Sequence, residues 1–319
     1  MGTQGEDIRT KALNVGGVAF HVQFNAARIR SSAAKTDAVS IAHRPCFLCK
    51  ENRPPTQTSK DWKGKYEILE NPFPIFPQHL TIPTYEHIPQ QLQGRYADML
   101  ALAKEFPHFT VFFNGPRCGA SAPDHMHFQA GSRLFMPIEQ QWQERIGEHL
   151  AVAGKARLHL MANDPRNTLL MIADEEKDAV TLFERVMKAF VTKKDSPIPT
   201  GTPSNFEGKL EAGKDPHALT LGEYDEGEPN VNVLCYYENN QWFTFIFPRT
   251  QHRPACYFAE GDDQMVISPA SVDLGGVFIT VREKDYERLN AIKLEHILRE
   301  VCWQDTEIET FKNELNART

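Results

Sequence analysis

The stretch from Phe109 to Ala130, FTVFFNGPRCGASAPDHMHFQA, decides how this chain is read. Phe109 to Phe113 is a short apolar run with the aromatic and β-branched content of a buried strand. Asn114-Gly115 then opens a loop, Gly115 to Asp124, rich in Gly, Ala, Ser and Pro, whose small residues let backbone N–H groups approach an anion. Extended sequence resumes at the two histidines. Residues two apart in a strand share a face, so His125, His127 and Gln129 form one polar row while Met126 and Phe128 turn into the core. Such a row can hold a phosphate. The plain alternative, a pair of surface strand histidines, is what an arbitrary H-x-H more often is.

A second cluster lies upstream. Cys46-Phe-Leu-Cys49 has the C-x-x-C spacing that lets two thiolates reach one tetrahedral Zn²⁺ at about 2.3 Å. A redox pair and two unrelated buried thiols are the competing readings. Redox versions usually open a helix in a βαβ context, whereas Cys46 follows His43-Arg44-Pro45 and Cys49 precedes KENRPP, a poor helix start, so zinc is favoured. Cys118, Cys235, Cys256 and Cys302 are scattered and form no framework.

The motifs together resemble the histidine-triad (HIT-like) superfamily, in the nucleotidyltransferase and phosphorylase branch, where the motif ends in Gln. That branch includes galactose-1-phosphate uridylyltransferase, diadenosine tetraphosphate phosphorylase and GDP-L-galactose phosphorylase. GASAPDHMHFQA, with Pro137-Ile138-Glu139 after it, looks most like the last of these. Phe20 to Arg28 (FHVQFNAAR), Ile88-Pro89-Gln90, Phe247-Pro248 and Ser268-Pro269 extend the likeness loosely over most of the chain. The resemblance implies that His87, after the proline of HLTIPTYEHIP, and His125 complete a zinc site with Cys46 and Cys49, structural because four protein ligands leave no open position. This ligand set is closer to uridylyltransferases than to the plant phosphorylase, so substrate identity does not carry over.

The resemblance also implies a mechanism. His127 attacks the α-phosphorus of a nucleoside diphosphate sugar or dinucleoside polyphosphate to give a nucleotidyl-histidine, and inorganic phosphate or a sugar phosphate then takes the nucleotide. Gln129 donates a hydrogen bond but cannot shuttle protons, which fits transfer better than hydrolysis. Asn114 stands where the family supports the nucleotide or the reacting histidine. Candidates for neutralising the phosphates are Arg28, Arg30, Ser121, Arg249 and Arg253, with the backbone of Gly119, Ala120 and Ser121. A hydrolase of the same fold and a nucleotide-binding sensor without turnover remain open, as do the base, the acceptor and the oligomeric state, a homodimer among the options.

Composition bounds the rest. A chain of 319 residues with 41% hydrophobic content can bury a large core, most simply as two related lobes. The polar start MGTQGEDIRT has no apolar leader, no stretch reaches membrane-span length, and a net charge of −7 argues against a general nucleic-acid surface; cytoplasm is expected.

The expected fold is α+β, with two HIT-like lobes, 1–150 catalytic and 151–319 degenerate, each a mainly antiparallel sheet with packed helices. Strands are expected at Val18 to Phe24, Tyr66 to Leu69, His79 to Pro83, Phe109 to Phe113, Leu158 to Met161, Leu169 to Ala173, Val231 to Tyr237, Trp242 to Phe247 and Gly276 to Val281. Helices are expected at Pro89 to Phe106, Ile138 to Ala153, Glu175 to Val191 and Lys284 to Val301, with a mobile connection at 193–217. HLTIPTYEHIP and TFIFPRTQHRP (Thr244 to Pro254) share a strand followed by P-x-x-x-H-x-P, which points to a degenerate duplication or to chance.

Overall fold

In the computed structural model, which describes residues 8–29, 38–190 and 228–317, the strands form two sheets. β1 (Arg9–Val15) and β2 (Val18–Phe24) make a hairpin, and β13 (Val277–Thr280) joins β2 in parallel, so a late segment completes the early sheet. The second sheet is antiparallel throughout. Its first five strands are β3 (Ser59–Trp62), β4 (Tyr66–Glu70), β5 (His79–Pro83), β6 (Phe109–Asn114) and β7 (His127–Ser132). The other five are β8 (Ile146–Ala153), β9 (Ala156–Met161), β10 (Leu169–Ala173), β11 (Val231–Glu238) and β12 (Gln241–Pro248).

The spatial order β3-β4-β5-β7-β6-β11-β12-β10-β9-β8 contains one plan twice. Three strands meander, a helix crosses, and a hairpin returns with its second strand beside the third. The crossing helices are α1 (Tyr96–Glu105) and α2 (Glu176–Phe190). The two expected sheets are joined edge to edge through β6 and β11, with Phe113 opposite Val233 and Asn114 opposite Asn232.

Side-chain alternation sends these strands into two cores. Val111, Phe113, Phe128, Val233 and Ile246 pack beneath α1, α2 and a C-terminal helix at Asp305–Ala317, where Tyr96 stacks on Phe183 with ring centroids 3.8 Å apart. Phe112, Leu234, Tyr236, Phe245 and Phe247 face the other way, onto β1, β2, β13 and the C-terminal helical segments. The result is a layered α+β fold. Among the described residues no helix is long and apolar enough to cross a membrane.

Several expectations need correction. Ile138 to Ala153 is not one helix: a short turn of helix, Ile138–Gln141, gives way to β8, which pairs with β9 across the Gly154 turn. Gly154 has φ +53, and a Cβ at Gly147 would sit 2.5 Å from the Leu160 carbonyl, so both glycines serve the hairpin. The 150/151 boundary falls inside β8. Helix α1 begins at Tyr96, not Pro89, because Pro89 to Gly94 is a turn-rich connection. The helix expected at Lys284 to Val301 is interrupted at Asn290, whose side chain accepts the Lys293 N–H at 3.0 Å and starts a new helix. TFIFPRTQHRP begins on β12, which corresponds in the repeated plan to β7, whereas HLTIPTYEHIP begins on β5; the two segments are not equivalent positions. The connection at 193–217 lies outside the described residues.

Phe113 is fully buried at the β6–β11 joint. Replacing it with alanine is expected to cost about 3–5 kcal/mol in urea unfolding, with a single transition by circular dichroism and tryptophan fluorescence. A loss below about 1 kcal/mol, or two separated transitions in the parent, contradicts a joint that couples the halves.

Candidate functional site

The site opens where two neighbouring strands part. β6 and β7 pair as far as Phe112 opposite Gln129, and β7 continues alongside β5 to His127 opposite Pro83. Beyond that, the side chain of Gln90 fills the gap. It donates to the carbonyls of Asn114 at 3.0 Å and His127 at 3.1 Å, and accepts the His127 N–H at 2.8 Å. The splayed strand ends border a cavity of about 780 Å³ whose lining includes His127, Gln129, Asn114, Gly119, Ser121 and Arg28.

His127 sits in this wall with its tautomer set by the backbone. Its Nδ1 lies 2.8 Å from the His125 carbonyl, so Nδ1 carries the proton and the lone pair is on Nε2. Burial lowers its pKa to about 4, keeping the ring neutral near pH 7. Gln129 is oriented by His79, whose Nδ1 accepts the Ile75 N–H at 3.2 Å. The Nε2–H of His79 therefore donates to Gln129 Oε1 at 3.1 Å, which leaves the amide NH₂ as a donor. Burial, aided by the Arg28 charge, lowers the His79 pKa to about 3.

Cys46, Cys49, His87 and His125 converge beside this row, their ligand atoms all within 4.8 Å of one another. His125 Nδ1 lies 3.4 Å from Cys46 Sγ and 3.5 Å from Cys49 Sγ, and His87 Nδ1 lies 3.1 Å from Cys49 Sγ. Donors on a tetrahedral cation are spaced by about this much. The remaining ring nitrogens are engaged as metal ligands require: His125 Nε2 donates to the Thr84 carbonyl at 2.9 Å, and His87 Nε2 faces Asp124 at 3.5 Å. Burial pushes the Cys46 thiol up to about 12, so its proton leaves only when a cation replaces it. The donor set fits a thiophilic divalent metal.

The other sequence candidates divide. Arg28 lines the cavity and donates to the Phe73 carbonyl at 2.6 Å; burial lowers its pKa to about 10. Gly119, at φ +92, has Ala270 so near that a Cβ would meet it at 2.6 Å. Ala120 is buried behind the lining. The Asn114 amide oxygen accepts from Asn232 and from the Ser271 N–H, both at 2.9 Å, which docks the segment Ser271–Leu274 onto β6. Arg249 does not reach the cavity: it is 1% exposed, and its nitrogens donate to Val301, Asn232, Pro269, Gln251 and His252. All five N–H groups are spent on protein, so its role is structural and not phosphate binding. Arg253 bonds Ser268 at 3.1 Å and lies over Tyr257, outside the lining. Arg30 lies outside the described residues.

Sequence reasoning missed four contributors. His79 was legible as the inward-facing first residue of HLTIP, and Arg44 and Asp124 as neighbours of metal ligands. Asp273, the one carboxylate among the described lining residues, carried no signal. Burial raises its pKa to about 6 while it accepts the N–H groups of Ala270 and Ile279, both at 2.8 Å.

A family described as a domain of unknown function (DUF4922) matches residues 3–132. No curated protein matches the sequence. Among solved structures, yeast Ap4A phosphorylase superposes with TM-score 0.54 at 16% identity, over 93% of this chain and 87% of that one. Its complex with Ap4A gives TM-score 0.55 at 16% identity, over 93% and 90%. Its complex with AMP gives 0.53 at 16% identity, over 92% and 88%. The chain has the fold of that phosphorylase, along nearly its whole length.

The buried histidines make stability pH-dependent in a definite direction. His79 holds a proton only below about 3 in the folded chain, against 6.5 for an ordinary histidine. The unfolded chain therefore binds more protons between these values, and stability falls as pH drops through that window. Thermal melts should lose less Tm between pH 7 and pH 5 in His79→Gln than in the parent. Equal losses contradict a neutral, buried His79.

Proposed function

We propose that the protein is a nucleotidyltransferase of the phosphorylase type. On this reading it cleaves a nucleoside diphosphate sugar or a dinucleoside polyphosphate through a nucleotidyl-histidine. The observation that carries it is the His127 ring, neutral, with Nδ1–H bound to the His125 carbonyl and Nε2 free to attack in the wall of a nucleotide-sized cavity. Yeast Ap4A phosphorylase, crystallised with AMP and with Ap4A, supports a nucleotide as substrate by likeness of fold.

The chemistry follows from the hydrogen bonds. As Nε2 forms its bond to the α-phosphorus, the bond to the leaving phosphate oxygen breaks. Positive charge develops on the ring, and the His125 carbonyl stabilises it through Nδ1–H. The Gln129 amide, held by His79, donates to a non-bridging oxygen. The small-residue loop at Gly119 to Ser121 lets the reacting phosphate approach closely. An acceptor oxygen then displaces Nε2. Because Gln129 cannot take a proton, an acceptor that arrives as an oxyanion, inorganic phosphate or a sugar phosphate, is favoured over water.

The Cys46, Cys49, His87 and His125 cluster is assigned to zinc, whose preference for two sulfur and two nitrogen donors it meets. The role is structural. The Cys46 to Pro54 loop that the cluster ties down supplies Phe47, Leu48 and Asn52 to the cavity wall. Purified protein is expected to carry about one zinc per chain, and Cys46→Ser to lose it together with several degrees of Tm. Metal analysis and melts check this; an unchanged Tm in the metal-free variant contradicts the structural role.

The test of the activity is turnover of GDP-, UDP- and ADP-hexoses and diadenosine polyphosphates, with and without inorganic phosphate. Phosphate-dependent release of a nucleoside diphosphate is expected, lowered roughly 10⁴-fold or more in His127→Ala. Product that is a nucleoside monophosphate without added phosphate points to hydrolysis instead. Undiminished activity in His127→Ala removes the histidine intermediate.

A further inference from the structure

Among the described residues two arginines, Arg28 and Arg44, line the cavity, and the row on β7 shows where each stands. Gln129 and His79 mark one end of the row, and Arg28 is near enough to depress the proton affinity of His79. Arg44 belongs to the other end. Its Nη2 donates to the Ser121 carbonyl at 2.7 Å and to Asp124 at 3.3 Å. Asp124 lies in the turn that leads into β7, ahead of His127 and so on the side away from Gln129. The Arg44 side chain is 24% exposed, whereas His127 is 4% exposed, so Arg44 stands toward the cavity mouth and His127 within.

Arg44 is also unlike the arginines that hold the fold together. Arg249 spends every N–H on protein, and Arg166 binds Asp164 through two nitrogens and the Leu274 carbonyl through the third. Arg44 spends Nη2 alone. Among the described residues its Nε is buried without an acceptor, and Nη1 is left as the donor with no protein partner. The Phe47 ring, 5.4 Å from the guanidinium carbon, backs the group without using its donors. A guanidinium anchored at one corner with donors to spare suits a phosphate.

We infer that Arg44 binds a second phosphate, the one next to the phosphate that reacts at His127, so that the site is built for a diphosphate or longer chain. This rests on the nucleotide reading of the cavity. The reacting phosphate lies at His127 between the Gln129 amide and Ser121, and the following phosphate extends toward the mouth. Asp124 positions the guanidinium and also faces His87, so the cluster that holds His87 in place steadies the phosphate site as well.

The experiment is calorimetric titration of the metal-loaded protein with AMP, ADP, GMP and GDP. Parent, Arg44→Gln and Arg44→Lys are compared, with metal content measured for each. The parent is expected to prefer a diphosphate to its monophosphate by about tenfold or more. Arg44→Gln should abolish most of that preference while changing monophosphate affinity less than about threefold, and Arg44→Lys, a point charge without the fork, should fall between. An unchanged ratio overturns the assignment, as does equal weakening of mono- and diphosphate with the metal retained, which marks Arg44 as a loop anchor only. Should Arg44→Gln lose its metal, the ratio in Arg44→Lys decides. If the parent binds none of these four nucleotides, nor UMP or UDP, the nucleotide reading itself fails, a result distinct from an unchanged ratio.

Discussion

Everything at the candidate site depends on the place where β6 and β7 stop pairing. A sheet interior has no room for a ligand, because adjacent strands lie under 5 Å apart and every backbone group is taken. Here the ladder ends at Phe112 and Gln129, and the strand ends would leave buried carbonyls and an N–H without partners. The Gln90 amide meets that need with three hydrogen bonds to Asn114 and His127 while holding the strands apart. An amide is the apt group, since it donates and accepts from one planar end, which neither a carboxylate nor an ammonium does.

The repeated five-strand plan shows why the second half does not repeat the polar row of the first among the described residues. In the second half, β12 stands where β7 stands in the first. Its residues on the corresponding face, Phe243, Phe245 and Phe247, are buried with Tyr236 and Leu170 in an aromatic core. The face that holds a polar row in one half is filled with rings in the other. That second half still contributes: Ser268, Ala270, Val272 and Asp273 close one wall of the cavity, and Ser271 binds the Asn114 side chain and the Phe113 carbonyl. One half carries the polar row, and the other supplies a wall to it.

Much of this was legible in the sequence where a single physical rule dominated. Alternation in HMHFQ set His127 and Gln129 on one face and sent Met126 and Phe128 into the core on the other, because a strand has only two faces. The C-x-x-C spacing offered two ligands and the histidine-triad resemblance added His87 and His125, and the four side chains do converge. Ile146 to Ala153 was misread because its apolar residues suit either period, and only the partner strand β9, distant in no local signal but decisive in hydrogen bonding, settles the choice. Arg249 was misread for a related reason. An arginine in a motif looks like a ligand-binding charge until its five donors are traced, and carbonyls as far away as Val301 are invisible to local pattern.

The row from Asp124 to Gln129 carries a risk that the rest of the site addresses. A strand can slip by one residue, and a slip here would turn Met126 and Phe128 into the cavity and every polar group into the core. Apolar burial of Met126 and Phe128 opposes the slip, but the chain adds directional restraints at three points along the row. His125 is fixed by the thiol and imidazole cluster and by the Thr84 carbonyl, His127 by Gln90, and Gln129 by His79. Directional bonds specify register in a way that apolar contact, satisfied by many arrangements, does not. The thiol and imidazole cluster is therefore best understood as the first of three pins along the row, setting the position of the His127 ring in the cavity wall.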